Sequence, residues 1–407
     1  MVAPLSHVRV LDMSRILAGP WAAQTLADLG AEVIKIERPG RGDDTRTWGP
    51  PFLKDADGND TLDSAYFLSA NRGKKSVTLD ISKPEGQEIV RRLAAVSDIL
   101  IENYKLGGLA AYGLDYAALR ALNPGLVYCS ITGFGQTGPL AARAGYDFLI
   151  QAMGGLMSIT GERDDKPGGG PQKIGVALSD ILTGLYTAVA ALSGLSRRDR
   201  TGEGCHVDMA LLDVTVAATA NQALNYLVSG RAPQRMGNAH PNIVPYEAFA
   251  AADRHIIVAV GNDAQFARFV EAAGRGELAS DARFATNAAR VANRETLIPI
   301  IRDFLKERPA AEWIAAFEAV GVPCGPINDL EQVFNHPQIR ARGLRIDLPH
   351  PVTGTVPQVA SPIRYVDAPL EYDRAPPTLG QHTEQVLREE LGLSDGHIAE
   401  LRAQKII

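Results

Sequence analysis

The sequence predicts an α/β protein built on a parallel sheet and followed by a second, smaller unit. Three features carry that prediction. Short apolar, β-branched runs alternate with helix-like periodicity over residues 8–131, polar glycine-bearing loops follow those runs, and the breaker cluster Ser229-Gly-Arg-Ala-Pro separates this rhythm from a second one.

In chain order, residues 8–13 (VRVLDM) read as a strand, 21–29 as a helix and 31–37 (AEVIKIE) as a second strand. The stretch 38–68, rich in Gly, Pro and Asp, is long enough to be a functional loop covering a site. Residues 76–81 form a third strand, 85–96 a helix, and 99–102 and 126–131 two further strands. Residues 205–210 resemble another strand, and an apolar helix then runs to about residue 228. The second unit has a strand at 255–260, helices at 264–273, 296–306 and 310–320, and a Pro/Gly-rich exit at 322–326. A helix follows residue 329, then a hairpin over 344–365 turning at Thr353-Gly354, then two helices parted by Gly392. There is no internal repeat.

With 407 residues, 45% hydrophobic and 22% charged, the chain has an ordinary globular balance. Its net charge of −6 gives no polybasic footprint, so neither nucleic acid nor an anionic membrane is expected as a partner. Cys129, Cys205 and Cys324 are far apart, fit no metal-ligand spacing and cannot all pair, so a reducing, cytoplasmic setting is expected with no metal. The N-terminal residues lack a signal core or an Arg/Ser-rich leader, and the longest uncharged helix reads as too short to cross a bilayer comfortably.

The feature with most chemical content is Asp180. It opens a helix that carries no other charge for fifteen residues and whose apolar composition predicts burial almost all round. The helix dipole favours the ionised carboxylate while apolar surroundings disfavour it, so the two act in opposite directions on its pKa. Such a carboxylate is either a nucleophile or, beside Ser179, a helix cap, and this segment alone leaves both open.

Loops at the carboxyl ends of the strands supply the remaining candidates. Ser14-Arg-Ile-Leu-Ala-Gly-Pro20 joins the first strand to its helix and presents amides to an anion, although its spacing is not that of a dinucleotide fingerprint. Two basic loops follow, around Arg38 to Arg46 and around Arg72 to Lys75, and two polar ones, Glu102-Asn-Tyr-Lys105 and Thr132-Gly-Phe-Gly-Gln-Thr-Gly138. In order and spacing these segments, with Gly145-Tyr-Asp147, Gly155-Leu-Met-Ser-Ile-Thr-Gly161, Asp180-x-x-x-Gly184 and Leu379-Gly-Gln-His-Thr383, resemble the family III (CaiB/BaiF-type) CoA-transferases over nearly the whole chain. The phrases Gly42-Asp-Asp-Thr-Arg46-Thr-Trp-Gly-Pro-Pro-Phe52 and Gly237-Asn-Ala-His240 are most similar to the succinyl-CoA:glutarate branch of that family.

That resemblance implies a Rossmann-like large domain, 1–228 and 330–407, with a smaller α+β domain at 229–329 inserted in it, and an interlocked homodimer. It implies Asp180 as the nucleophile. CoA thioesters are then substrates, with no tightly bound cofactor, and the CoA contacts are Arg15, Leu17, Ala18, Arg38, Leu79, Asp80, Ile81, Asn103, Tyr104, Lys105, Thr132, Gly133, Phe134 and Gly135. An arginine that holds CoA in formyl-CoA transferases aligns with Ala111, which leaves Lys105 or the Lys74-Lys75 pair to meet the phosphates. The implied reaction moves CoA from succinyl-CoA to a dicarboxylate through an aspartyl anhydride and an aspartyl-CoA thioester. Arg46, Arg72, Tyr146 and His240 are the candidates for meeting the substrate, with Arg15 as a further cation for its distal carboxylate, and the glycines of 132–138 for the oxyanion.

Two rival readings stay in view. The α-methylacyl-CoA racemases carry histidine immediately before an aspartate, where this chain has Tyr146-Asp147, a poor base at neutral pH. A non-catalytic CoA-binding protein would explain the basic loops but gives Asp180 no task beyond capping.

Overall fold

Strands buried on both faces read as nearly continuous apolar runs, and parallel sheets need helices on both sides to bury them so. Six strands form the central sheet in the computed structural model, which describes residues 3–407, and the inner ones are buried in this way while the edge strand Cys205–Ala210 is only half-buried. They are β1 (Arg9–Asp12), β2 (Glu32–Glu37), β3 (Lys74–Thr78), β4 (Ile99–Glu102), β5 (Val127–Thr132) and β6 (Cys205–Ala210). All pair in parallel, in the order β3-β2-β1-β4-β5-β6. The order reverses between β1 and β4, so the loops leaving those two strands part and open a crevice at the carboxyl edge.

Helices α1 (Ala18–Asp28), α2 (Pro84–Ala95), α3 (Asp147–Met153), α4 (Leu178–Thr201) and α5 (Leu211–Ala218) accompany the sheet. α1 and α4 approach closely because Gly184 allows it: a Cβ there would lie 2.7 Å from the Ala18 carbonyl oxygen. The expected burial of α4 all round is corrected. Its inner face carries buried Thr183, Gly184, Thr187, Ala188 and Ala191, but Leu185, Tyr186 and Val189 are 41%, 50% and 64% exposed. The helix also runs to 24 residues, so by length and composition alone it is long enough to cross a bilayer, contrary to the reading of its uncharged stretch. The apolar helix expected up to residue 228 is broken where Ala220 takes a φ of 46°.

The chain returns to this unit at Gln338. Strands Arg345–His350 and Gly354–Val359 form the expected hairpin, and helices Thr383–Glu389 and Asp395–Ala403 are parted at Gly392, whose φ of 64° suits glycine.

The second unit comprises Met157–Lys173 and Asn225–Pro337. Its antiparallel sheet orders Cys324–Pro326, His255–Ala259 and Tyr246–Ala250 around a core that includes Phe249, Phe266, Phe269, Phe304, Trp313 and Phe317. Several of its parts departed from expectation, the unforeseen strand Tyr246–Ala250 among them. The 322–326 exit contains a strand, with Cys324 paired to Val258, which its prolines and glycine disguise, and residues 157–173 belong here rather than to the large unit.

Candidate active site

The loop after β1 is shaped by side chains that take up its main chain. Asp12 accepts the Ser14 N–H at 3.0 Å, Lys35 Nζ donates to the Ser14 carbonyl at 2.9 Å, and Asp43 accepts the Ile16 N–H at 3.2 Å. Asn103, from the loop after β4, accepts the Arg15 N–H at 2.9 Å and donates to its carbonyl at 2.7 Å. Ile16 is thereby held at a φ of 73°, an outlier for a β-branched residue and of the kind that clusters at functional sites. The Ser14, Arg15 and Ile16 amides are therefore committed to the protein rather than presented to an anion, and the first-turn amides of α1 remain for that purpose.

This loop forms one wall of a cleft at the sheet's switch point. Arg15, Ile16, Leu17 and Ala18 face Asn103 to Leu106 after β4 and Ile131 to Gly133 at the end of β5, with Arg143, Tyr146 and Asp180 completing it. Gly133 has to be glycine: a Cβ there would sit 2.6 Å from Gly145 Cα, where the two loops cross.

Asp180 lies in the first turn of α4, but it does not cap the helix. Asp147, from α3, accepts the Ser179 N–H at 2.8 Å and the Asp180 N–H at 3.3 Å. The capping role left open by the sequence is thus filled by another carboxylate. Burial, with the Asp147 charge adding to it, pushes the Asp180 pKa up to about 7. Among the described residues no cation contributes to that shift. Tyr66 senses the same pair: burial first, then the Asp180 and Asp147 charges, push its phenol up to about 12.

The implied CoA contacts all follow the carboxyl ends of β1 to β5 along one rim. Arg15, Leu17, Ala18, Asn103, Tyr104, Lys105, Thr132 and Gly133 line the cleft with Asp180. Arg38 and residues 79–81 lie beyond it, past β2 and β3. Leu79 is a core side chain whose N–H bonds the Glu37 carbonyl, and the Asp80 N–H bonds that of Ile406, which leaves little of either for a ligand. Phe134 is buried beneath Arg143, and the Gly135 N–H is taken by Thr132 Oγ1 and the Gln136 N–H by Asp208, so those two amides are not free for an oxyanion.

Several substrate assignments are corrected. Arg46 is 2% exposed and bonds both carboxylate oxygens of Glu37, Asp63 and the Pro377 carbonyl. Arg72 is 3% exposed and makes a two-pronged pair with Asp28, at 2.9 and 2.7 Å. Both guanidiniums brace the unit instead of facing a ligand. Lys74 is fully buried on Asp12, Asn71 and the Pro20 carbonyl, and Lys75 pairs with Glu32, so neither meets a phosphate. His240 is not among the corrected assignments: it lies in the second unit, where its ring accepts the Asn242 N–H and packs against Tyr246. Tyr146 does line the cleft. Sequence reasoning missed Ile16, Tyr66, Arg143 and the capping role of Asp147. Only Asp147 carried a local signal, as an acidic residue at a helix start.

The comparisons with known proteins bear on the whole chain. A model of CoA-transferase family III matches residues 5–383. The chain is 53% identical over 386 residues to the succinate–glutarate CoA-transferase of Agrobacterium fabrum, with 95% of each chain covered. It is 44% identical over 406 residues to the succinyl-CoA:glutarate CoA-transferase of Homo sapiens, covering 100% of this chain and 90% of that one. A crystal structure of a CaiB/BaiF family protein from Brucella suis superposes with a TM-score of 0.84 at 52% identity, over 96% of this chain and 100% of that one. A half-buried carboxylate with no hydrogen-bond donor among the described residues, at the switch point of a parallel sheet, thus sits in a chain that belongs to the family III CoA-transferases.

Proposed function

We propose that the protein moves CoA from succinyl-CoA to glutarate or a dicarboxylate of similar length, with Asp180 as the covalent carrier. The observation that carries this reading is that Asp180 faces the cleft with its helix already capped by Asp147. The names of the relatives from Agrobacterium fabrum and Homo sapiens support the choice of substrates.

The reaction needs no net proton. An Asp180 oxygen attacks the thioester carbonyl, the C–S bond breaks, and CoA thiolate leaves a succinyl-aspartyl anhydride behind. The thiolate then attacks the Asp180 carbonyl, releasing succinate and forming an aspartyl-CoA thioester. A glutarate carboxylate displaces the thiolate from that thioester, and the thiolate takes the glutaryl group from the new anhydride, restoring Asp180. Enclosure of Asp180 works against hydrolysis at each stage.

For the CoA phosphates we assign Lys105 and Arg38, which are exposed at the rim and form no ion pair among the described residues. Arg143 takes over the part first given to Arg46 and Arg72. It lines the cleft, packs on Phe134 with 5.6 Å to the ring centroid, and forms no ion pair among the described residues. We assign it to the distal carboxylate. We also propose a homodimer, interlocked as the family resemblance implies, in which a second copy covers the apolar face at Phe148, Leu185, Tyr186 and Val189. The three free cysteines fit a reducing cytoplasm. The test is product mass: succinyl-CoA with free glutarate yields glutaryl-CoA with the unmodified protein and none with Asp180→Ala. Absence of glutaryl-CoA from the unmodified protein refutes the substrate assignment.

A further inference from the structure

A helix that begins without a capping side chain of its own leaves first-turn amides for some other group. α4 is such a helix, with Ala177 at its N-cap position. Asp147 meets its amides from α3 and is itself anchored. Gln151 Nε2 donates to the other Asp147 oxygen at 2.7 Å, while Gln151 Oε1 accepts the Ile174 N–H at 3.0 Å from the segment leading into α4. Gln151 is fully buried, and Thr215 Oγ1 of α5 donates to Ser179 Oγ at 2.7 Å. The start of α4 is therefore tied to both α3 and α5 just before the nucleophile.

Two consequences follow. A first-turn aspartate ordinarily folds back towards helix amides, but here those amides have a partner, and the Asp180 carboxylate accepts no hydrogen bond from the described residues. Second, a full negative charge at the helix start offsets the dipole that would otherwise make Asp180 a stronger acid and a weaker nucleophile.

We propose that Asp147 is a positioning residue for the nucleophile: it caps α4 from the neighbouring helix, releases the Asp180 carboxylate into the cleft and keeps it basic by like charge. This rests on the reading of Asp180 as covalent carrier. The other charged or titratable groups around Asp180 are Arg15 after β1, Tyr66 on the short helix Ala65–Leu68, Tyr104 and Lys105 after β4, and Arg143 and Tyr146 before α3. α1 and α5 present Ala18, Leu211 and Thr215, which are uncharged.

The test compares Asp147→Asn, Asp147→Ala and Asp180→Ala through kcat/KM for succinyl-CoA as a function of pH, with circular dichroism to confirm folding. Asp147→Asn keeps an oxygen for both amides and removes the charge, together with the hydrogen bond from Gln151 Nε2. Its acid limb should move towards lower pH by roughly half to one unit. Asp147→Ala should lose about ten- to a hundredfold in kcat with KM within about threefold, because the nucleophile is misplaced more than substrate binding is weakened. An unmoved acid limb in Asp147→Asn, with Asp180→Ala inactive, overturns the positioning role alone. An active Asp180→Ala overturns the covalent reading and the positioning role with it. Should Asp147→Ala fail to fold, the asparagine variant still decides.

Discussion

Asp180→Asn should stabilise the protein while abolishing its activity, which is the opposite of what removing a helix cap does. Folding raises the Asp180 pKa from 3.8 to about 7, by burial and then by the Asp147 charge. Below the unfolded value both states are protonated and the group is neutral to stability; as pH rises towards the folded value the unfolded chain ionises first, and native stability is lost. Above the folded value the loss is complete. At 1.36 kcal/mol per unit the shift sets an upper limit of about 4 kcal/mol, and partial access to solvent reduces this to about 2–3 kcal/mol. Asparagine escapes the loss. With an unfolding entropy of about 2.1 cal/mol/K per residue over the chain, the variant should melt roughly 2–4 °C higher near pH 8. The gap should close near pH 3, below the unfolded value, where Asp180 is protonated in both states. Differential scanning calorimetry of the two proteins across that range measures it. In parallel, glutaryl-CoA formation should fall at least about ten-thousandfold, because asparagine cannot form the anhydride. A variant that melts lower at pH 8, or keeps most of its activity, refutes the argument.

Hydroxylamine added after succinyl-CoA alone should modify Asp180, as located by peptide mass mapping; modification of a cysteine instead would replace the carboxylate mechanism, and burial pushes the Cys129 thiol well up, against that outcome. Arg143→Ala should reduce kcat/KM for glutarate about ten- to a hundredfold and that for butyrate less than about threefold, and equal losses would remove Arg143 from the distal carboxylate. Arg72→Ala leaves buried Asp28 unpaired and should cost about 3–5 kcal/mol in denaturant unfolding, with the glutarate-to-butyrate ratio unchanged. A changed ratio would return Arg72 to the substrate.

The sheet was legible because its strands are short apolar runs with polar loops after them, and that local rhythm survives folding. The site was legible in part for the same reason. Loops at carboxyl ends of parallel strands are where ligands bind, so Arg15, Leu17, Asn103 and Thr132 could be placed on one rim before any coordinates. What the sequence hid was partnership. Arg46 and Arg72 look like ligand-binding residues in their loops, and only the tertiary fold brings Glu37 and Asp28 against them. The same blindness applies to Asp147, whose amide partners lie 32 and 33 positions along the chain. Strand Cys324–Pro326 was missed because proline and glycine argue locally against a strand that its neighbour His255–Ala259 imposes.

The buried charges beneath the β1 loop show why partnership matters for function as well as for reading. Asp12, Lys35 and Lys74 are fully buried and Asp43 nearly so. Burying ions is costly, and apolar replacements of similar size are often neutral or stabilising, so net stability alone does not account for this cluster. Its hydrogen bonds do. Asp12 and Lys35 hold the Ser14 peptide, Asp43 holds both Lys35 and the Ile16 N–H, and Lys74 ties Asp12 to the Pro20 carbonyl in α1. A left-handed isoleucine costs on the order of 1–3 kcal/mol and persists only where its surroundings over-determine it. An apolar cluster exerts no directional pull on a peptide group, whereas ammonium and carboxylate groups fix where each N–H and carbonyl must point. The charges thus hold the wall of the cleft that shares its space with Asp180, and they do so from beneath, where no substrate competes for them.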